Sequence, residues 1–385
     1  MTVTDTIKYI GVDDTTIEKF ESQYPVADIG VTYNSYVILD DQITVMDTVD
    51  ARGSEGWQKN LAEVLGDKEP AYLVVQHLEP DHSGNIKWIA DKYPSMKLIG
   101  SAKTKAMLPQ FFDIEGLDDR FVSVVEGQEI SIGSHTLSFY MAPMVHWPEV
   151  MVTYEKSEKI LFSADGFGTF GASTAGRAWE DDALHYYGNI VGKYGPSVQA
   201  LLKKAATLDI AKICPLHGPV LDGDLSFYIN KYQLWSTYTP EESGIFIPYA
   251  SIHGNTKAAV LQFAKELEAR GENVKTMDLT DEDVSEAVES CFIYDRIIFA
   301  AVTYDGELFP PMMDLLYHLR LKNFQNRKVG LIENGSWGPV AAKKMREQIE
   351  QMKNMEIVEP VVTIKSVRKA EDDAAFAALA DAMKA

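Results

Sequence analysis

Cysteine is scarce in this chain: only Cys214 and Cys291 occur among 385 residues, and they form no CxxC pair. This excludes a disulfide scaffold, a cysteine-rich zinc site and an iron–sulfur site held by the thiolates of one chain. Basic residues are also few, 36 against 57 acidic residues, which gives a formal net charge of −21. So acidic a chain is repelled by phosphate backbones and anionic lipid, and we expect neither a nucleic-acid nor a membrane-surface partner.

Long hydrophobic runs and targeting signals are absent from the sequence as well. No window approaches about 18 consecutive apolar residues, so no membrane span is predicted. The N-terminal stretch has neither a basic region nor an apolar core, so we expect no signal peptide. The scarcity of cysteine makes the reducing cytoplasm the expected compartment. The composition, 46% hydrophobic and 24% charged, is that of a globular protein, and the length suits two domains.

The pattern of predicted elements changes near residue 240. Before it, short strand-like runs dominate, including a hairpin over 36–46 and a buried strand over 71–75. The polar stretch 236–244 contains Pro and Gly and is typical of a linker. After it, strands alternate with helices of about 10–15 residues, ending with a helix near 340–353 and a strand over 356–362. This predicts a five-stranded, flavodoxin-like parallel sheet, and we place the domains at 1–243 and 244–385.

The densest cluster of chemical groups follows the predicted strand 71–75. It is an H-x-E-x-D-H motif that places four metal-competent side chains within six residues. Three more candidates each follow a strand-like run in a loop with Gly or Pro, and loops at one edge of a sheet converge in space. The seven candidate ligands, predicted to form one catalytic metal site, are His77, Glu79, Asp81, His82, His146, Asp165 and His217.

Seven ligands are too many for one ion, and they suit two ions that share a bridging carboxylate. Imidazole and carboxylate ligation without thiolate suits iron, manganese or zinc. Because carboxylates stabilise ferric as well as ferrous iron, the set favours redox chemistry. Cys214 is predicted to be a packed thiol, while His135, His185 and His318 fall outside the pattern and are predicted to be solvated or at the edge of the core.

Three loops of the second domain follow predicted strands. The first offers hydroxyls, an amide and the free N–H groups of a helix N-terminus, an anion cradle without lysine that suits a monophosphate; a well-capped helix is the alternative. The other two carry an aromatic residue among small and polar ones. The candidate binding residues are Ser251, His253, Gly254, Asn255 and Thr256, then Thr303, Tyr304, Asp305 and Gly306, and finally Asn334, Gly335, Ser336 and Trp337.

These motifs together resemble the flavodiiron proteins, also called A-type flavoproteins. The ligand order H-x-E-x-D-H followed by single His, Asp and His is that of the metallo-β-lactamase fold, and a flavodoxin-like domain follows it. The resemblance spans essentially the whole chain, including Tyr-Asn-Ser-Tyr at 33–36. It implies a metallo-β-lactamase-like αββα sandwich before the flavodoxin-like domain. Most members of that superfamily are hydrolases with His where this chain has Glu79.

The resemblance also implies cofactors and an activity. Two non-haem irons are implied, the first held by His77, Glu79 and His146, the second by Asp81, His82 and His217, with Asp165 bridging them. FMN is implied in the second domain, with Tyr304 and Trp337 as contacts. In the family, FMN passes electrons to the di-iron centre, which reduces O2 to water or NO to N2O. A rubredoxin or reduced deazaflavin donor and a head-to-tail homodimer, or a dimer of such dimers, are the implied partners.

Two other functions compete with this interpretation. The first is a metal-dependent hydrolase of the metallo-β-lactamase superfamily with an appended flavodoxin-like domain, against which Glu79 and the second domain argue. The second is a non-catalytic electron carrier with a structural metal cluster, against which the intact set of seven ligands argues.

One loop departs from the family pattern S-P-T-Y-N, since it reads Ala-Val-Thr-Tyr-Asp and ends at Asp305. A negative charge beside the flavin disfavours the anionic reduced form, so we expect a more negative flavin reduction potential than Asn would give. The Asp305→Asn variant should therefore raise the potential in a redox titration. An unchanged or lower potential would contradict this prediction.

Overall fold

The computed structural model describes residues 3–384, in two compact units. The first comprises Met1–Tyr187 and Pro196–Gln233, and the second comprises Gly188–Gly195 and Leu234–Ala385. The domain boundary that the sequence places between residues 243 and 244 stays a prediction. No helix among the described residues is long and apolar enough to cross a bilayer.

Two mixed sheets form the first unit. The six-stranded sheet runs, in spatial order, Ile7–Tyr9, Tyr36–Ile38, Thr44–Met46, Tyr72–Val74, Lys97–Ser101 and Phe121–Val124. The five-stranded sheet runs Glu129–Ser131, Thr136–Met141, Met151–Glu155, Ile160–Phe162 and Lys212–Cys214. In both sheets the antiparallel pairs come first in the chain and the parallel pairs follow.

The two sheets pack face to face through a shared apolar core. Val74 and Ile99 of one sheet and Phe139 and Phe162 of the other are fully buried in it, together with Cys214, which is a packed free thiol as predicted. Burying one such large apolar side chain contributes roughly 1.5–3 kcal/mol. The core fixes the strands, and therefore the loops that leave them.

Helices and two short ribbons complete this part of the chain. The ribbons pair Val12–Asp14 with Val31–Tyr33 and Lys19–Phe20 with Tyr24–Pro25. Three helical pieces follow one another directly: an α-helix Trp179–Tyr186, a π-helical turn Tyr187–Val191 and a 3-10 turn Gly192–Tyr194. The other α-helices up to residue 236 are Ser54–Leu65, Pro80–Ser83, Ile86–Lys92, Ala102–Met107, Leu117–Arg120, Gly195–Ala205 and Leu225–Ser236.

A parallel sheet with helices between its strands forms the second unit. Its strands run, in spatial order, Val274–Asp278, Glu242–Ala250, Tyr294–Tyr304, Arg327–Asn334 and then Met355–Ile357 with Val362–Ile364. This is the order 2-1-3-4-5 of flavodoxin-like domains. Glu307–Leu308 adds a short antiparallel strand. The helices are Asn255–Glu268, Val284–Ile293, Pro310–Leu321, Ala341–Ile349 and Asp373–Ala382.

The last strand differs from the prediction. The sequence predicted one strand over 356–362, whereas Met355–Ile357 and Val362–Ile364 are separate, and both pair with Arg327–Asn334. Pro360 lies between them. It has no N–H to donate to the ladder, so the strand is interrupted there.

The prediction that the remaining histidines are solvated or at the edge of the core fails for His135 and His185, which are 3% and 8% exposed. The His135 Nδ1 lies 2.6 Å from Asp40 Oδ2, and its Nε2 lies 3.3 Å from Glu158 Oε1. Burial opposes protonation of His135, but these two carboxylates outweigh burial and raise its pKa. A buried, ion-paired imidazolium therefore links the segments that carry Asp40 and Glu158 in the first unit.

This ion pair predicts how the stability of the metal-free protein depends on pH. A raised folded-state pKa means that His135 stabilises the fold fully below about pH 6.5, its unfolded value, and loses this contribution as the pH rises through the folded-state pKa. The free energy of unfolding in urea should therefore differ more between wild type and His135→Gln at pH 6 than at pH 9. An equal difference at the two pH values would contradict this prediction.

Candidate metal centre and flavin site

Each predicted metal ligand lies just after a strand of the first unit. Four follow Tyr72–Val74, and the others follow Thr136–Met141, Ile160–Phe162 and Lys212–Cys214. Asp81 and His82 belong to the short helix Pro80–Ser83, which the Pro at its first position favours. Because these strand ends lie at the same side of the two packed sheets, the seven side chains meet.

The seven side chains form two adjoining groups, within each of which the metal-competent atoms lie within 4.8 Å of one another. The groups are His77, Glu79, His146 and Asp165, and Asp81, His82 and His217. Asp165 faces both: its Oδ2 lies 3.1 Å from His146 Nε2, and its Oδ1 lies 3.2 Å from His82 Nε2. This is the placement of a carboxylate that bridges two ions. That these residues bind metal stays a prediction, though the structure brings all seven together.

Several atoms of the site lack the partners that buried polar atoms need. Both Asp81 carboxylate oxygens and Asp165 Oδ1 are buried and accept no hydrogen bond from the described residues. The Nε2 atoms of His82 and His217 face each other at 3.0 Å. Unsatisfied buried carboxylate oxygens are costly, and cations at these positions would satisfy them. The donor set therefore fits two metal ions.

A glutamate that sequence analysis missed supports the first group. Glu149 is 1% exposed, and its Oε1 lies 2.9 Å from His77 Nδ1 while accepting a hydrogen bond from the Leu78 N–H at 2.9 Å. Such a carboxylate fixes the imidazole ring and keeps Nε2 directed at the metal site. His217 is held similarly, since its Nδ1 lies 2.7 Å from the carbonyl oxygen of Thr32. Among 57 acidic residues, nothing in the sequence marks Glu149.

The protonation of these histidines predicts how iron affinity depends on pH. Burial opposes protonation of His146, but Asp165 and Glu79 outweigh it and raise its pKa to about 9 in the metal-free protein. A metal must displace that proton, so iron affinity should rise from pH 6 to pH 9. Anaerobic competition with a ferrous chelator at several pH values measures this, and a pH-independent affinity would contradict it.

A cavity of about 340 Å³ opens onto both groups. Glu79 and Asp81, one from each group, line it together with Phe20, Tyr33 and Arg52. The Arg52 guanidinium donates to the Tyr33 hydroxyl at 2.8 Å and to Asp50 at 3.1 Å. Such a cavity suits a small substrate.

The loops of the second unit line a separate cavity of about 640 Å³ at the carboxyl ends of the parallel strands. Twelve of the thirteen predicted residues line it, all but Gly254. Gly254 has φ +86°, where a side chain is disfavoured, and precedes the helix Asn255–Glu268. The lining residues that sequence analysis missed are Ile252, Val302, Gly338 and Ser366.

The chemistry of this cavity fits a flavin mononucleotide. Its lining includes no Lys or Arg, so a phosphate would be held by hydroxyls, His253 and the N–H groups of the helix N-terminus. Trp337 is 87% exposed and Tyr304 is 45% exposed, which leaves two rings free to contact an aromatic ligand. Asn334 Nδ2 donates to Thr256 Oγ1 at 3.2 Å and to the Ser366 carbonyl at 2.9 Å, tying the loops together. Binding by these residues stays a prediction.

Comparisons with known proteins agree with this architecture. A family profile described as ODP family beta lactamase matches residues 31–218. The nitric oxide reductase of Moorella thermoacetica is 28% identical over 384 residues, 96% of this chain and 94% of that protein. The solved rubredoxin oxygen:oxidoreductase of Desulfovibrio gigas aligns with a TM-score of 0.92 at 25% identity, covering 100% of this chain and 97% of that one. The flavodiiron protein of Giardia intestinalis shares the fold, with a TM-score of 0.85 at 23% identity over 99% and 95% of the two chains.

The fold and the comparisons define a two-domain protein in which a metallo-β-lactamase-like domain precedes a flavodoxin-like domain. The predicted fold class is confirmed. The chain is similar to flavodiiron proteins over nearly its whole length, and the family resemblance seen in its motifs is confirmed.

Proposed function

We propose that this chain is a flavodiiron oxidoreductase that reduces O2 to water, NO to N2O, or both. The observation that carries the proposal is Asp165, whose two oxygens face the two groups of metal-competent side chains. The names of its relatives support both substrates, since one is a nitric oxide reductase and another is an oxygen oxidoreductase. Its cofactors are FMN and a non-haem di-iron centre.

When bound, the flavin supplies electrons and the irons bind and activate the diatomic substrate. His77, Glu79 and His146 would hold one iron, Asp81, His82 and His217 the other, and Asp165 both. Glu149 and the Thr32 carbonyl orient two of the imidazoles. Phe20 packs edge-on against His217 at 5.3 Å between ring centroids, which excludes water from that side. The cavity beside Glu79 and Asp81 is large enough to admit a diatomic molecule.

The hydrolase alternative is less well supported. Two relatives of matching length are named as a nitric oxide reductase and an oxygen oxidoreductase. The chain also carries a second cavity suited to FMN, which hydrolysis does not need.

The assembly and setting of the enzyme are part of the proposal. A rubredoxin-type electron donor fits the name of the Desulfovibrio relative, rubredoxin oxygen:oxidoreductase, and reduced deazaflavin is the other candidate. We propose a head-to-tail homodimer or a dimer of dimers, a cytoplasmic location, and domains of 1–243 and 244–385. Light scattering of the purified protein tests the assembly; a monomer with full turnover would contradict it.

The decisive experiment measures iron and flavin in anaerobically purified protein, then O2 and NO consumption with chemically reduced flavin. About two irons and one FMN per chain, with consumption of either gas, is expected. Zinc without flavin, persisting after iron reconstitution, would instead support the hydrolase. Cofactors without gas consumption would support the non-catalytic electron carrier.

A further inference from the structure

A hairpin turn beside the metal site has an unfavourable backbone conformation. The Gln23 N–H donates to the Phe20 carbonyl at 3.0 Å, and the two residues between them, Glu21 and Ser22, have φ values of +48° and +58°. Two consecutive left-handed residues define a type I′ turn, for which Asn and Gly are the favoured residues. Glu and Ser are therefore not explained by the turn itself.

The turn brings the Glu21 side chain to the metal site. Glu21 lines the cavity that opens onto Glu79 and Asp81. Its carboxyl group lies beside the Glu79 carboxyl group in this cavity. Three carboxyl groups, from Glu21, Glu79 and Asp81, thus converge on one small cavity.

Basic side chains at the mouth of the cavity do not compensate this charge. Arg52 is bonded to Asp50 and Tyr33, and within the described part of the chain neither it nor Lys19 forms an ion pair with Glu21. Carboxylates in contact repel each other unless a proton or a cation lies between them. A second observation, independent of the turn, also points to a cation. Asp81 is 8% exposed, and neither of its carboxylate oxygens accepts a hydrogen bond from the described residues.

We propose that Glu21 supplies an eighth side chain to the metal centre, a carboxylate added from the cavity side to the seven residues described above. The inference rests on the proposed di-iron function and extends its ligand environment. The negative charge of Glu21 strengthens cation binding and favours the oxidised metal, so it lowers the reduction potential of the centre. It also makes the mouth of the cavity unfavourable for anions while leaving neutral O2 and NO unaffected.

The test is anaerobic titration of the metal-free protein with ferrous iron against a competing chelator. Glu21→Gln keeps the size of the side chain and removes its charge; Glu18→Gln, on an exposed position of the same segment, is the matched control. We expect Glu21→Gln to bind iron about 10–100-fold more weakly, the range for residues that support a metal site. Its iron reduction potential should shift upward, and Glu18→Gln should match wild type in both.

A second variant separates metal binding from the shape of the turn. Glu21→Asn suits the left-handed conformation, so it should raise the thermal midpoint of the metal-free protein while still weakening iron binding. Affinities and potentials of Glu21→Gln and Glu21→Asn equal to those of Glu18→Gln would overturn the inference and leave the proposed function standing. A wild-type protein that binds no pair of irons would overturn both.

Discussion

Replacing Asp165 by Asn is expected to remove most gas reduction and at least one of the two irons. Asp165 is 1% exposed, and it alone among the seven candidate ligands faces both groups. Asn keeps the volume but loses the negative charge and one of the two metal-binding oxygens. Since losing an outer partner of a metal ligand already costs about 10–100-fold in affinity, we expect a larger loss here. Iron content per chain and O2 and NO turnover measure it.

The matched control for this variant is Asp209→Asn. Asp209 belongs to an exposed ion pair with Lys159 on the surface of the first unit, where such pairs contribute little. The Asp209→Asn variant should keep both irons and full turnover. If Asp165→Asn also kept two irons and wild-type rates, the assignment of Asp165 as the bridging residue would be wrong.

The second large effect is expected at Arg327, whose replacement by Met should destabilise the second unit by about 3–5 kcal/mol. The Arg327 guanidinium is buried and donates to the carbonyls of Tyr238 at 2.7 Å, Phe292 at 3.0 Å and Cys291 at 3.2 Å. Burial lowers its pKa only to about 10, so it stays charged at neutral pH. Methionine fills the space but leaves these carbonyls without a donor.

Chemical denaturation of the flavin-free protein, followed by circular dichroism, measures this effect. Arg270→Met serves as the control, because Arg270 forms a surface pair with Asp381 and its loss should change stability by less than about 0.5 kcal/mol. Equal midpoints for the two variants would show that the buried hydrogen bonds of Arg327 contribute little.

The strands, the second-domain topology and the candidate ligands could all be predicted because their signals are local. The apolar run before His77 and the six-residue motif that follows it place the first four candidates at a strand end without reference to the rest of the chain. Alternation of strands and helices after residue 240 likewise predicts a parallel sheet. The break at Pro360 was missed although proline signals it, because the apolar residues on both sides gave one continuous pattern.

The tertiary structure alone decided which residues support those ligands. Glu149 lies 72 positions after His77 in the sequence, yet their side chains are 2.9 Å apart. Glu21 and Ser366 likewise reach their cavities through turns whose left-handed residues carry no Gly to announce them. The sequence alone therefore determined the chemistry of the candidate site, because the types and order of its ligands are written in short motifs. The fold decided their geometry and support, because these depend on contacts between segments far apart in the chain.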